Sequence, residues 1–110
     1  MKSKSQILVA LVTAPDLKTA RKLSQIILRA RLAACANLVP RIESHYWWKG
    51  KLERSGEVLM ILKTTSNLIP RLEKCVLEKH PYDTPEFLVL PIHSGSKKYL
   101  DWVKDSVQPL

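Results

Sequence analysis

The sequence predicts an α+β fold in which helices cover one face of an antiparallel sheet. Three observations carry this prediction. Residues 7–12 form an almost continuous apolar run, which is typical of a buried strand. A long alternating segment turns back on itself at Lys49-Gly50, as the two arms of a hairpin do. Stretches with apolar residues spaced by three and four, typical of amphipathic helices, precede and follow that hairpin.

Length and composition indicate one globular domain. The chain has 110 residues, of which 45% are hydrophobic and 25% charged, so residues 1–110 are interpreted as a single domain. No apolar run approaches the roughly 20 residues of a membrane-spanning helix, and residues 7–12 are too short for a signal core. We therefore expect a cytoplasmic protein without a membrane partner. Cys35 and Cys75 form no C-x-x-C pair, and we expect buried thiols rather than a disulfide.

The net charge of +8 raises the hypothesis of nucleic-acid binding. Lys18, Lys22, Gln25 and Arg29 recur at helical spacing and form a basic stripe on the first predicted helix. Nothing in the chain resembles a recognition helix, a zinc finger or aromatic RNA-binding strands. The stripe is therefore interpreted as a solvated helix face, and no nucleic-acid partner is expected.

The first strand is predicted over residues 7–12, and Thr13-Ala14-Pro15-Asp16 breaks it. Asp16 is a natural N-cap, because its carboxylate can accept hydrogen bonds from the free amides of a first helical turn. The helix that follows is predicted to end near Leu32. Its apolar face comprises Leu17, Ala20, Leu23, Ile26, Ile27 and Ala30.

A long hairpin is predicted next. It begins with a strand over residues 36–40, whose final proline marks a bend or a sheet edge. Residues 42–48 then alternate, and Lys49-Gly50 supplies the tight turn. The returning strand over residues 51–62 is predicted to contain a bulge around residues 54–56. On the outgoing arm, Ile42, Ser44, Tyr46 and Trp48 share one face, and Glu43, His45 and Trp47 share the other.

The second half of the chain repeats the helix–strand pattern. Ser66 or Asn67 is the predicted N-cap of the next helix, and Pro70 favours Asn67 because proline is tolerated only within the first turn. A buried strand is predicted over residues 86–92, and a short helix closes the chain. The inner faces of the two helices comprise Leu68, Leu72, Cys75 and Val76, then Tyr99, Leu100, Val103 and Val107. This order is the ferredoxin-like βαββαβ sandwich, extended by a long β-hairpin and an extra C-terminal helix.

The predicted sheet carries more apolar surface than helices on one side can cover. The second face of the sheet is either exposed to solvent or covered by other subunits. Trp47 and Trp48 are neighbours in a strand, so they point to opposite faces, and both are difficult to bury within one small domain. We therefore expect an oligomer.

The segment from His80 to Glu86 is the most unusual stretch of the chain. Its two prolines fix their own φ and move the preceding residues away from helix, which presets the positions of His80, Tyr82 and Glu86. This predicts either a site or a strict structural corner. The chain offers metal-ligand side chains without structural zinc spacing, and a surface or inter-subunit copper site stays open. These side chains are His45, His80, His93, Cys35, Cys75 and Glu86.

Other site chemistries find little support. Cys35 has no nucleophile signature and lies in a run of small residues, which indicates close packing. The glycines form no phosphate-binding loop. Asp83 and Glu86 are close in sequence but give no other sign of acid–base chemistry. We predict no catalytic residue and no enzyme; a small hydrolase using Cys35 or His80 is the least favoured alternative.

Three motifs together resemble the CutA family of divalent-cation tolerance proteins. They are Ala33-Ala34-Cys35-Ala36-Asn37; then Ser44-His45-Tyr46-Trp47-Trp48-Lys49-Gly50, running on through Glu57 to Lys63-Thr64; then His80-Pro81-Tyr82 with Pro85-Glu86. The resemblance covers residues 7–107. It implies a ferredoxin-like fold assembled as a homotrimer. It also implies a cytoplasmic role in the response to metal ions, especially copper, without an established reaction.

Carried over residue by residue, the resemblance implies a metal ligand at His80. Glu86, one of the ligand-type side chains of the same segment, is the second candidate ligand. Some members carry a cysteine where this chain has Val12 and a second histidine where it has Lys79. Copper is the cofactor that the resemblance implies. Valine cannot coordinate a metal and lysine adds positive charge, so no tightly bound copper is expected. The expected cleft or interface residues are Cys35, Tyr46, Trp47, Trp48, Lys63 and Tyr82.

The sequence therefore predicts a non-enzymatic homotrimer of the divalent-cation tolerance type, whose partners are its own copies and metal ions. The alternative is a regulatory or scaffold trimer that binds an anionic small molecule or a peptide in an inter-subunit cleft. The basic stripe at Lys18, Lys22 and Arg29 motivates that alternative.

Overall fold

The computed structural model describes residues 5–109, in which four strands form one antiparallel sheet with three α-helices. The elements are β1 (Ile7–Ala14), α1 (Leu17–Arg29), β2 (Cys35–Trp48), β3 (Lys51–Thr65), α2 (Ile69–Lys79), β4 (Leu88–Pro91) and α3 (Lys97–Ser106). The strand order is β2-β3-β1-β4. This arrangement confirms the predicted ferredoxin-like fold with a long hairpin and an added helix. Within residues 5–109, no helix is both long enough and apolar enough to cross a membrane.

Helix α1 begins as predicted and ends early. The Asp16 carboxylate accepts a hydrogen bond from the Thr19 amide at 2.7 Å, and this bond holds the Asp16 pKa below its usual range. The helix was expected to reach Leu32 and to bury Ala30, but Ala30 is its exposed C-cap. The helix ends there because Arg31 adopts φ 58°, a left-handed conformation that cannot continue it.

The hydrophobic core lies between α1, α2 and one face of the sheet. Every second residue of β1 and β3 points into it, which matches the apolar runs of both strands. Its most deeply buried members include Ala10, Val12, Leu23, Ile27, Met60, Leu62, Leu72 and Val76.

The hairpin turns at Lys49-Gly50, as predicted. Lys49 has φ 51° and Gly50 has φ 77°. Positive φ at both central residues is the geometry of a type I′ turn, whose twist matches that of the flanking strands. A glycine meets this requirement at no steric cost, whereas the lysine carries some strain.

A bulge interrupts the hairpin, but it lies on the outgoing strand. Residues 40–41 of β2 separate Val39 from Ile42, whereas the partners of these two on β3 are separated by Val58 alone. The second bulged residue, an arginine, has φ 62°. The bulge predicted around residues 54–56 is therefore wrong. The bulge instead lies opposite Val58. The proline at this bulge is tolerated because β2 is an edge strand, where the missing N–H of a proline need not interrupt the hydrogen bonds of the sheet.

The start of α2 also differs from the prediction. A 3₁₀ turn over Ser66–Leu68 precedes the helix, so Asn67 is not its N-cap. The Asn67 side-chain oxygen instead accepts hydrogen bonds from the Ser5 and Thr65 hydroxyls at 2.7 and 2.6 Å. Pro70 still lies in the first turn of α2, as expected. Cys75, expected in the core, is half-buried.

The second face of the sheet is apolar and partly open. Since directly paired residues of an antiparallel sheet share a face, the pairing of β1 with β3 and β4 identifies this surface. We call it the open sheet face, and its apolar members are Val9, Leu11, Val39, Leu59, Ile61, Leu88 and Leu90. The strand predicted as buried over residues 86–92 is shorter and lies at the edge. Leu88 and Leu90 are 54% and 47% exposed, because β4 pairs only with β1.

Candidate functional site

A cavity of about 680 Å³ opens between the hairpin and the proline-rich segment that follows α2. It brings together many of the residues that the sequence singled out. We call it the acid–aromatic cavity, defined by its carboxylates Glu57, Asp83 and Glu86 and its aromatic residues Tyr46, Trp47, Trp48 and Tyr82. Thr13, Ser44, His45, Thr84 and Pro85 complete its lining.

A tyrosine–glutamate pair forms the buried part of the cavity. The Tyr82 hydroxyl donates a hydrogen bond to a carboxylate oxygen of Glu57 at 2.7 Å. Glu57 is 9% exposed, and burial together with this carboxylate raises the pKa of Tyr82. Sequence reasoning named Glu57 only as part of a motif. Its signal was a carboxylate on the same strand face as Leu59 and Ile61, at the start of an apolar run.

The cavity is negatively charged within a basic protein. Burial raises the pKa of Glu86, and repulsion from Glu57 raises it further. None of the lysines or arginines of the described chain lines the cavity, although the net charge of the protein is +8. Arg41 and Arg54 line a neighbouring cavity of about 550 Å³ that shares Glu57. Neither arginine forms an ion pair with Glu57 in the described part of the chain.

His80 stabilises the turn that follows α2 and does not line the cavity. Its Nε2 lies 2.7 Å from the Thr13 carbonyl oxygen, and its Nδ1 lies 3.1 Å from the Tyr82 amide nitrogen. A carbonyl only accepts and an amide only donates, so Nε2 carries the proton and Nδ1 accepts. His80 is 7% exposed, and its ring centroid lies 4.7 Å from that of Tyr82. These contacts fix the turn that places Tyr82 beside Glu57.

Within the described part of a single chain, the residues implied as copper ligands do not converge on a metal site. Both ring nitrogens of His80 are engaged, and a metal would have to displace one of these hydrogen bonds. Val12 lies fully buried in the core, and Lys79 is exposed. Among residues 5–109, no three His, Cys, Asp or Glu side chains converge as ligands. The donor set therefore does not fit a copper centre at His80 and Glu86.

Cys35 and Lys63 lie in a separate cluster. They are paired across β2 and β3, and the Lys63 ammonium donates to the Asn37 side-chain oxygen. The Cys35 sulfur lies 3.8 Å from that oxygen and 3.8 Å from the Tyr99 hydroxyl. The Tyr99 ring in turn packs 5.5 Å from that of Trp102. Sequence reasoning did not connect Tyr99 with Cys35, because 64 residues separate them.

The hairpin aromatic residues differ in exposure. Trp47 is 73% exposed, whereas Tyr46 and Trp48 are 40% and 41% exposed. The Tyr46 hydroxyl is 3.2 Å from the Ser55 hydroxyl of the facing strand. Strand alternation places Tyr46 and Trp48 on the face that carries Glu57 and places Trp47 on the other, as predicted.

Comparisons with known proteins agree with the motifs. A family model described as CutA1 divalent ion tolerance protein matches residues 8–106. The divalent-cation tolerance protein CutA of Escherichia coli (strain K12 / DH10B) is 47% identical over 106 residues, covering 96% of this chain and 95% of that protein. Protein CutA of Mus musculus is 47% identical over 94 residues, covering 86% of this chain. The chain spans about half, 53%, of the length of that mouse relative.

A solved structure shows the same architecture. The crystal structure of CutA1 from Oryza sativa has a TM-score of 0.91 to this chain at 42% sequence identity, covering 96% of this chain and 98% of that one. The resemblance drawn from the motifs is thereby confirmed. The chain belongs to the CutA1 divalent ion tolerance family.

Proposed function

We propose that the protein acts as a homotrimer without catalytic activity in the cellular response to divalent metal ions. The observation that carries the assembly is the open sheet face, whose apolar side chains are partly or largely exposed in the single chain. The resemblance to the CutA family implies three copies. Membership of a family named for divalent-ion tolerance supports the metal response.

The open sheet face has a physical reason to associate. Fully burying a leucine-sized side chain contributes about 1.5–3 kcal/mol, and Leu88 and Leu90 alone are each about half-exposed. Contiguous apolar surface of this kind marks an interaction site in soluble proteins. The hairpin carries a further exposed set, Trp47 and Leu52, at 73% and 64%. Other copies of the chain would cover both.

Light scattering coupled to size exclusion tests the assembly. The parent protein is expected at three times the 12.6 kDa chain mass. Leu90→Lys places a charge on the open sheet face and should shift the protein to monomer. Leu77→Lys is a matched control, because Leu77 is also 47% exposed but lies on α2, away from that face. A monomeric parent, or equal behaviour of the two variants, would contradict the proposal.

For copper, we propose only weak binding at exposed histidines. His45 is open to solvent and bonds only to the neighbouring Glu43, at 2.7 Å, in the described chain, so it is more accessible than His80. Calorimetric titration with copper(II) chloride should give the same weak affinity for the parent and for His80→Ala, while His45→Ala weakens it. A large loss in His80→Ala, with the fold intact by circular dichroism, would restore His80 as a ligand.

We further propose that the protein works in the cytoplasm; cell fractionation with marker proteins tests this compartment. The alternative function, an anionic ligand in a cleft, gains no support from the acid–aromatic cavity, since three carboxylates line it. It would have to use the basic stripe at Lys18, Lys22 and Arg29, whose side chains are exposed along α1.

A further inference from the structure

We propose that the outer face of α1 binds an acidic segment of a partner protein. The basic stripe on α1 carries this proposal, because its four side chains and the neighbouring Arg21 are all exposed. Residues 17–32 contain five cations and no acid. In the described part of the chain, none of the cations of the stripe forms an ion pair. At the rise of an α-helix, the stripe is an unneutralised cationic surface about 17 Å long.

The stripe lies on the side of the chain that faces away from the open sheet face. Ala20, Leu23 and Ile27 are buried on the opposite side of α1, in the core between the helices and one face of the sheet. The open sheet face is the other face of that sheet. Copies that pack on the open sheet face therefore meet the sheet from its far side, and this contact does not cover the stripe. Access to the stripe requires neither a free sheet face nor a metal role.

Solvation alone does not explain the charge of the stripe. A helix that is only solvated usually exposes both signs, as α2 does, where the Lys74 ammonium lies 3.9 Å from a Glu78 carboxylate oxygen. By contrast, Lys18 and Lys22 are like charges one turn apart, and such pairs destabilise a helix. Lys18 also lies in the first turn of α1, where the positive end of the helix dipole disfavours a cation. These unfavourable contributions indicate a role for the stripe outside folding.

The surroundings of the stripe favour a narrow acidic chain over a nucleic acid or a membrane. Packed helices lie about 8–10 Å apart, whereas the major groove of a duplex alone is about 12 Å wide. A duplex on α1 would therefore also cover α2, whose exposed Glu73 and Glu78 repel phosphates. Helix α1 has no aromatic residue on which single-stranded bases could stack. Its apolar face is buried in the core, so it offers a membrane no apolar anchor.

An extended acidic chain matches the stripe in spacing and in chemistry. Every second side chain of an extended chain points to the same side, and such neighbours are about 6–7 Å apart. Lys18 and Lys22 are separated by about 6 Å along the helix axis, so alternating carboxylates can pair with successive cations. Arg21 and Arg29 add guanidinium groups, which bind carboxylates through two parallel hydrogen bonds. The expected partner is therefore a segment with an acidic residue at every second position.

A fluorescein-labelled peptide of alternating glutamate and serine, about ten residues long, is a suitable probe because it spans the stripe. Its uncharged match has glutamine in place of each glutamate. Fluorescence anisotropy of the acidic peptide, titrated with the full chain in the oligomer it forms, should show saturable binding at about 150 mM salt. The glutamine peptide should bind at least about tenfold more weakly. Raising the salt to about 500 mM should weaken the acidic peptide at least about fivefold, because exposed charges are screened.

Matched variants locate the site. The stripe variant combines Lys18→Gln, Lys22→Gln and Arg29→Gln, and should weaken the acidic peptide at least about tenfold. The control variant makes the same change of net charge at three exposed lysines outside α1, and its affinity should fall by less than about twofold. These are Lys79→Gln, Lys98→Gln and Lys104→Gln. The melting temperature of the stripe variant should stay within about 4 °C of the parent, so that lost binding is not lost folding.

The absence of saturable binding at about 150 mM salt would overturn the inference. Equal affinity for the two peptides, or an equal loss in the two variants, would also overturn it, since either would show only general charge attraction. Tighter binding of a DNA duplex of about 12 base pairs, or of phosphatidylserine vesicles, that is lost in the stripe variant would assign the stripe to phosphate groups and overturn it as well. A monomeric parent in light scattering would leave the inference standing, so this proposal and the proposed trimer fail separately.

Discussion

Removing the Tyr82 hydroxyl should destabilise the fold in a way that a matched variant does not. Tyr82→Phe keeps the ring and its contact with His80 but deletes the 2.7 Å hydrogen bond to Glu57. Hydrogen bonds to a charged partner contribute about 1.5–3 kcal/mol, and Glu57 is nearly buried, so water replaces the lost donor only in part. We expect the free energy of unfolding to fall by about 2 kcal/mol.

Urea denaturation followed by circular dichroism measures this loss. For a denaturant slope of about 1–3 kcal/mol/M, the midpoint should fall by about 1 M. All samples need the same protomer concentration, because the proposed assembly would couple stability to concentration.

Tyr99→Phe is the control. It deletes a hydroxyl whose partner is the Cys35 sulfur at 3.8 Å, a weak acceptor, so the expected loss is below about 0.5 kcal/mol. Equal losses in the two variants, or a loss below about 0.5 kcal/mol for Tyr82→Phe, would refute the argument that this bond anchors the corner.

Three further predictions follow from burial, charge and backbone geometry. Leu72→Ala should lower the free energy of unfolding by about 2–5 kcal/mol because Leu72 is fully buried, whereas Leu77→Ala on the same helix should cost under about 1 kcal/mol; urea midpoints compare them. The pKa of Glu86 is raised above 4.5 in the fold, so the folded state binds the Glu86 proton more tightly than the unfolded state does. Loss of this proton, as the pH rises above about 4.5, therefore lowers stability. Glu86→Gln should therefore gain stability over the parent at about pH 8 but not at about pH 4, and a gain independent of pH would contradict this. Gly50→Ala should cost about 1 kcal/mol in thermal unfolding, because Gly50 has φ 77°.

Periodicity was enough to predict the elements that pack on the core. The apolar run of β1, the alternation in the hairpin arms and the three-and-four spacing in the helices each indicate which side of the element is buried. The Asp16 cap and the Lys49-Gly50 turn were predictable because each depends only on residues that are neighbours in sequence. β4 was misjudged because an apolar run indicates burial by something, and does not say whether the cover belongs to the same chain.

The candidate site was less predictable because it depends on partners far apart in sequence. Tyr82 and Glu57 are 25 residues apart, and His80 meets Thr13 across 67 residues. Nothing local in the sequence shows that both nitrogens of His80 are used by the backbone. A histidine beside a proline is thus an equally good signal for a ligand and for a corner, and only the hydrogen bonds of its ring separate the two.

The bulge at residues 40–41 reverses which residues of β2 face each side of the sheet. Before it, odd-numbered residues such as Cys35 and Val39 share the face of Ile61 and Leu59; beyond it, even-numbered residues such as Tyr46 take over that face. Deleting one of the two bulged residues would leave every element in place yet invert the outer half of β2. Tyr46 and its even-numbered neighbours would then leave the face of Glu57, and their odd-numbered neighbours would replace them. One inserted residue thus decides which aromatic side chains the cavity receives.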